Sequence, residues 1–307
     1  MAESSALTAV LKRDRLVVVT ALVTVIVAAW IYIIAGAGMG MSPFEMTAMT
    51  AKPAGMAQSG GDMPGMAMGE GEAGTISGMA MGEGAAGTIS GMAMAAMAPV
   101  AWTPGYAALM FLMWWIMMMA MMLPSAAPMI LLFAMVNRKQ REKGAPYVPT
   151  AIFAAGYALV WGAFSLVAVG AQWGLERSGL LSSMMASTGV MLGAALLIAA
   201  GIYQLTPLKQ ACLRHCRSPI FFISHRWRPG DLGALRMGVE HGAFCTGCCW
   251  FLMALLFYGG VMNLFWIVGL ALFVLLEKTI PAGHWLGHIT GGLLIAWGGI
   301  LILVVVP

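Results

Sequence analysis

Leu109 to Met129 reads LMFLMWWIMMMAMMLPSAAPM, inside a run from Tyr106 to Val136 that holds no Lys, Arg, Asp, Glu or His. A stretch of that length with nothing charged on its side chains must satisfy its backbone polar groups internally, which in lipid means a helix. Six further apolar runs extend the reading: Leu16–Gly36, Val148–Gly170, Met184–Leu205, Gly242–Val261, Asn263–Ile280 and Trp285–Val306. The expected fold is all-α, a polytopic transmembrane helical bundle of about seven spans. Pro124 and Pro128 should kink or tilt the second span. The sixth is short and closes on Glu277-Lys278.

Composition agrees. Charged residues are 9% of the 307 and hydrophobic ones 61%, whereas a soluble domain carries about a quarter charged residues. A soluble enzyme is excluded, and a net charge of +4 with no basic tract gives no reason to expect a nucleic-acid partner. The bilayer is the partner the composition requires.

Lys and Arg orient the bundle. With the N-terminus cytoplasmic, 14 of the 16 fall on inner segments, and only Lys52 and Arg177 fall outside. The excess of cations on cytoplasmic loops then places the N-terminus inside and the C-terminus outside. The first span has a basic flank like a signal peptide, but its length favours a retained span over cleavage after Ala35 or Ala37.

Three parts follow: a tail and first span at 1–38, a loop at 39–104, and a six-span membrane domain at 105–307. The loop contains a tandem repeat, GMAMGEGEAGTIS at 65–77 and GMAMGEGAAGTIS at 78–90, then a truncated copy from Gly91. Such Gly-rich repeats have little to bury, so a disordered, methionine-rich external loop is expected. Its 13 methionines, Met39 to Met97, come mostly in M-x-M or M-x-x-M pairs. Thioether sulfur is a soft, neutral ligand suited to Cu(I), and the absence of Cys and His argues against zinc there. A linker grown by repeat slippage is the alternative.

Within the second span Met113, Met117 and Met121 recur at i, i+4, i+8 and so share one helix face. They offer a thioether path, or they simply pack, since Met118, Met119 and Met122 occupy other faces.

The five cysteines and five histidines all fall on the side read as cytoplasmic. Cys212, His215 and Cys216 follow Tyr203 and Lys209 after span four, and His241, Cys245, Cys248 and Cys249 open span five. On a helix the latter four occupy an arc of about 100°. Cys212 and Cys216 share a face one turn apart, as do His284 and His288 at the start of span seven. Thiolates in a reducing compartment are free or metal-bound, and with imidazoles they suit Cu(I) first and zinc second. A small buried hydrophobe is the ordinary role of a single cysteine in an apolar helix, and an interfacial cap that of a histidine. Glu277 and Lys278 need partners if buried; Lys209 is a candidate for Glu277, and an interfacial anchor is the other reading.

Several motifs resemble a bacterial integral-membrane family catalogued as domain of unknown function 2182. They are MMLPSAAPMILLFA at 121–134, the Pro207-Leu-Lys…Cys212…Cys216-Arg-x-Pro219 segment, Cys245-x-Gly-Cys-Cys-Trp250, Gly260-Val-Met-Asn263 and Glu277-Lys278. The resemblance covers roughly Tyr106 to Val306, and members are described as predicted metal-binding membrane proteins. It implies a multi-pass protein of the bacterial inner membrane with a shared metal site at Cys212, Cys216, Cys245, Cys248 and Cys249. It implies no reaction, and the Met-rich repeat lies outside it.

Three functions compete. The first is Cu(I) handling, with external methionines capturing the ion and the inner Cys/His group binding it. No phosphate-binding loop is present to drive it with ATP. The second is a non-catalytic subunit or assembly factor of a larger membrane metalloenzyme, partnered by other membrane subunits or a periplasmic metal chaperone. The third is a thiol oxidoreductase using Cys245 and Cys248. No catalytic residue is assigned.

Overall fold

A computed structural model describes residues 2–38, 43–44, 47, 101–144, 148–181, 185, 187, 189–281 and 283–305, with side chains from Arg15 onward. The methionine-rich repeat lies outside the described residues. Among the described residues the main helices are α1 (Ala2–Ile34), α2 (Pro104–Glu142), α3 (Thr150–Arg177), α4 (Val190–Leu205), α5 (Pro207–Arg217), α6 (Pro219–Arg226), α7 (Gly230–Ala254), α8 (Leu256–Gly259), α9 (Leu264–Thr279) and α10 (Gly283–Val305). No strand occurs among the described residues; the Leu181–Ser187 bridge is isolated.

Among the described residues five segments are long and apolar enough to cross a bilayer: Arg15–Ile34, Pro104–Glu142, Thr150–Arg177, Gly230–Gly259 and Gly283–Val304. A sixth results if α4 and α5, bent by 65° at their junction, count together. The seven spans expected from hydrophobic runs are thus not all matched by helices of spanning length. At about 1.5 Å per residue the 16 residues of α4 and of α9 reach only about 24 Å, short of a hydrocarbon core of about 30 Å.

Local sequence explains the departures. Thr206 caps α5 by accepting from Lys209 N at 3.3 Å, and Pro207 occupies its first turn, so a second, polar helix starts directly after the apolar run that ends at Leu205. The segment holding Cys212, His215 and Cys216 is therefore helical. At the other extreme α7 begins at Gly230, twelve residues before the apolar run Gly242–Val261. Its polar first turns are accommodated by Glu240, which meets Arg226, Arg228 and Arg236 at 3.1 to 3.5 Å. In α2 the helix continues unbroken through Pro124 and Pro128.

Glycines set the closest helix pairings. A Cβ on Gly156 would lie 2.3 Å from Leu235 O, and one on Gly238 would lie 2.1 Å from Phe153 O. α3 and α7 therefore touch backbone to backbone, as small residues permit in membrane helices. Gly201 and Gly291 bring α4 and α10 together in the same way. The core between α2, α3 and α7 holds Trp114, Phe133, Phe153, Tyr157 and Trp161, none more than 1% exposed.

Candidate metal centre

Cys245 stands where four helices meet. Its Sγ lies 3.2 Å from Tyr157 Oη on α3 and 3.0 Å from Lys278 Nζ at the end of α9. Lys278 also donates to Ser125 Oγ on α2 at 3.1 Å. The Tyr157 hydroxyl in turn donates to Met122 O at 3.3 Å. On α7 itself, Cys248 and Cys249 direct their thiols to the Cys245 carbonyl at 3.1 and 3.0 Å, and Cys249 Sγ lies 4.0 Å from Met122 Sδ. All three cysteines of α7 are buried.

α5 adds the other two thiols. Cys216 is in side-chain contact with Cys245 and Cys248. Cys212 faces Gly247, whose missing Cβ would come within 3.0 Å of its Sγ. Tyr203 fixes the same level by donating to Gly247 O. His241, one turn before Cys245, stacks on Tyr157 and Phe153 at 5.7 and 6.2 Å, and its Nδ1 is buried with no hydrogen-bond partner.

Two buried charges flank the thiols on α9. Glu277 pairs with Lys209, both essentially inaccessible. Lys278 has an uncharged hydroxyl and a thiol as its neighbours. An ammonium in so dry a place is best compensated by an anion, and the group in contact with it that can supply one is Cys245. Lys278 thus sets a positive charge directly against the Cys245 sulfur.

Among the described residues no three Cys, His, Asp or Glu side chains stand as a ready-made ion cage. The reason is visible in the bonds above: Cys248 and Cys249 spend their thiol hydrogens on the carbonyl of Cys245. The donor set fits a soft monovalent ion: thiols, one thioether and an unpartnered imidazole nitrogen, with little oxygen.

Other residues singled out from the sequence lie differently. Met113, Met117 and Met121 are fully buried on α2. His215 stacks on Phe244 at 4.1 Å and bonds through Nδ1 to Ala211 O. His284 and His288 are exposed on the first turns of α10 beside Trp285, while the buried face there belongs to Gly283 and Gly287. Gly287 abuts the Glu277 carboxylate. The sequence reading did not single out Tyr157 or Ser125. Each was visible as a hydroxyl in an otherwise apolar run, Ser125 between two prolines, but nothing in the spacing linked either to a cysteine.

A family model described as a copper chaperone, PpoB2, matches residues 111–301. No curated protein and no solved structure matches the chain. The matched stretch takes in the five cysteines, Met122, Lys209, Glu277 and Lys278, and begins after the methionine-rich repeat. The chain belongs to this copper-chaperone family.

Proposed function

We propose that this member of the copper-chaperone family is an integral protein of the bacterial inner membrane that binds Cu(I) with the thiols of α5 and α7 and passes it to an acceptor. The observation that carries the reading is the meeting of Cys216, Cys245, Cys248 and Cys249 beside Met122 and Lys278. Two thiolates bound to Cu(I) carry one net negative charge, which the Lys278 ammonium balances in a medium that tolerates no excess charge. His241 supplies a further donor, and Cys212 a thiol one turn away on α5. Zinc is the weaker candidate, because a tetrathiolate site would leave more negative charge than one lysine offsets.

The methionine-rich segment 39–104 gathers Cu(I) outside, and positive-inside orientation puts the N-terminus in the cytoplasm and the C-terminus in the periplasm. Met122, the thioether at the thiols, sits near the middle of the charge-free run Tyr106–Val136, so the site lies deep in the span. The acceptor is a membrane or periplasmic metalloenzyme, and the protein serves its assembly. A dithiol exchange role for Cys245 and Cys248 fits less well, since both are at most 1% exposed and a protein disulfide must reach the sulfur it attacks.

The test is a competitive Cu(I) titration of the full chain in detergent under reducing, anaerobic conditions, using a colorimetric Cu(I) chelator. At least one ion should be retained by the protein. Cys245→Ser combined with Cys248→Ser should abolish retention without loss of the folded state. A chain that retains no copper, or keeps it undiminished in that variant, overturns the reading.

A further inference from the structure

Two contacts fix the register between α2 and the α7–α8 rod. Met122 Sδ meets Cys249 Sγ at 4.0 Å. Eight residues earlier on α2, Trp114 packs on Phe257, eight residues beyond Cys249, with ring centroids 5.3 Å apart. Leu255 between α7 and α8 keeps a right-handed helical backbone (φ −64°, ψ −15°), so the helical advance continues across the junction. The two rods therefore run antiparallel and in step, and the residue midway on each is a methionine: Met118 on α2 and Met253 on α7. Both are 0% exposed. Each is four residues, or about 6 Å of rise, from the Met122–Cys249 contact.

We infer that Met118 and Met253 form a second soft-donor site, one helical turn from the thiols, which takes Cu(I) on its way to them. The inference rests on the reading of the thiols as the copper site. It differs from a path along Met113, Met117 and Met121, a row of α2 that lies about 100° around the helix from Met118 and Met122. Thioethers are neutral, so an ion held by two of them keeps its full positive charge and is held weakly in a dry interior. Thiolates one turn on neutralise it. That gradient, from neutral to anionic sulfur, gives the transfer its direction, and binding no proton at the first site means that none is released there. Further along α2, Met110 is already engaged: Gln172 Nε2 lies 3.6 Å from its Sδ. The free thioethers on this row thus begin at Met118.

Leu fills nearly the volume of Met and keeps the core packed while removing the sulfur. The full chain is reconstituted in lipid vesicles, and Cu(I) buffered by an impermeant chelator is offered only at the face bearing the Trp102 end of α2. Loading is followed by the thiolate-to-copper absorption in the ultraviolet. Met118→Leu/Met253→Leu should reach the wild-type final amplitude at a rate at least tenfold lower, each single variant falling between. Met129→Leu, an equally buried methionine beyond the thiols on α2, should load at the wild-type rate. An unchanged rate in the double variant overturns the second site and leaves the thiol site standing. So does a lost final amplitude in a variant that retains the wild-type unfolding transition, since the sulfurs would then belong to the thiol site. A wild-type chain that shows no such absorption overturns both.

Discussion

The two ends of the interface between α2 and its neighbours are built on opposite principles. Near the start of α2 the polar groups are closed on one another. Trp114 Nε1 donates to Gln172 Oε1 at 2.8 Å, Gln172 Nε2 to Glu176 Oε1 at 2.9 Å, and Trp102 Nε1 to Glu176 Oε2 at 2.7 Å. Two turns beyond Trp114 the same helix meets a thiol at Met122 and a lysine at Ser125, and on α7 the His241 Nδ1 one turn before Cys245 has no partner. The first end is satisfied by hard donors and acceptors and needs nothing more. The second leaves soft donors and unbalanced charge, and so has something to gain from an ion. A satisfied polar network holds helices together; an unsatisfied buried group calls for an explanation, and a bound ion is one.

The largest effect should come from the ion pair that borders the second end. Glu277→Gln strands Lys209 in a dry site and should cost about 3–5 kcal/mol, read as loss of the folded state in chemical denaturation of micellar protein. Lys209→Met/Glu277→Met should regain most of it, because no bare charge is then left; a double variant as unstable as the single would show that the pair matters for more than compensation. Next, Lys278→Met should weaken Cu(I) retention about 10–100-fold with little change in unfolding, the scale on which residues supporting metal ligands act. Unaltered retention would mean that the ammonium does not balance the bound thiolates.

The closed end should respond the other way round. Gln172→Leu leaves Trp114 Nε1 buried without an acceptor and should cost about 1–3 kcal/mol of stability, with copper stoichiometry unchanged in the Cu(I) titration. Lost copper there would erase the distinction between the two ends. Smallest is Gly247→Ala. Its Cβ would press on Cys212 Sγ at 3.0 Å and should cost about 1 kcal/mol, seen as a small drop in melting temperature. Rescue by Cys212→Ala would confirm the contact.

Much of the site was legible along the chain. The arc of His241, Cys245, Cys248 and Cys249 follows from helical periodicity alone, and so does the shared face of Cys212 and Cys216. The oriented runs of apolar residues likewise locate the long helices. Span starts were less readable: α4 begins at Val190, six residues inside the apolar run that opens at Met184, and α7 starts in charged sequence that its own ion pairs support. Met122 was visible only as one of several methionines off the 113–117–121 row, and its role as the thioether beside Cys249 depends on how α2 rotates against α7.

What the sequence determined by itself is the chemical inventory and its local phase: apolar helices, few charges, and soft donors set at one-turn spacing. Those properties are fixed by covalent order and by 3.6 residues per turn. Which donors meet was decided only by the packing. Gly156 and Gly238 let α3 and α7 close to backbone contact, which sets Tyr157 against Cys245, and the end of α9 brings in Lys278 from 33 residues away. Contacts between helices depend on rotation, depth and crossing, and these are set by the fit of whole surfaces, which no single helix encodes.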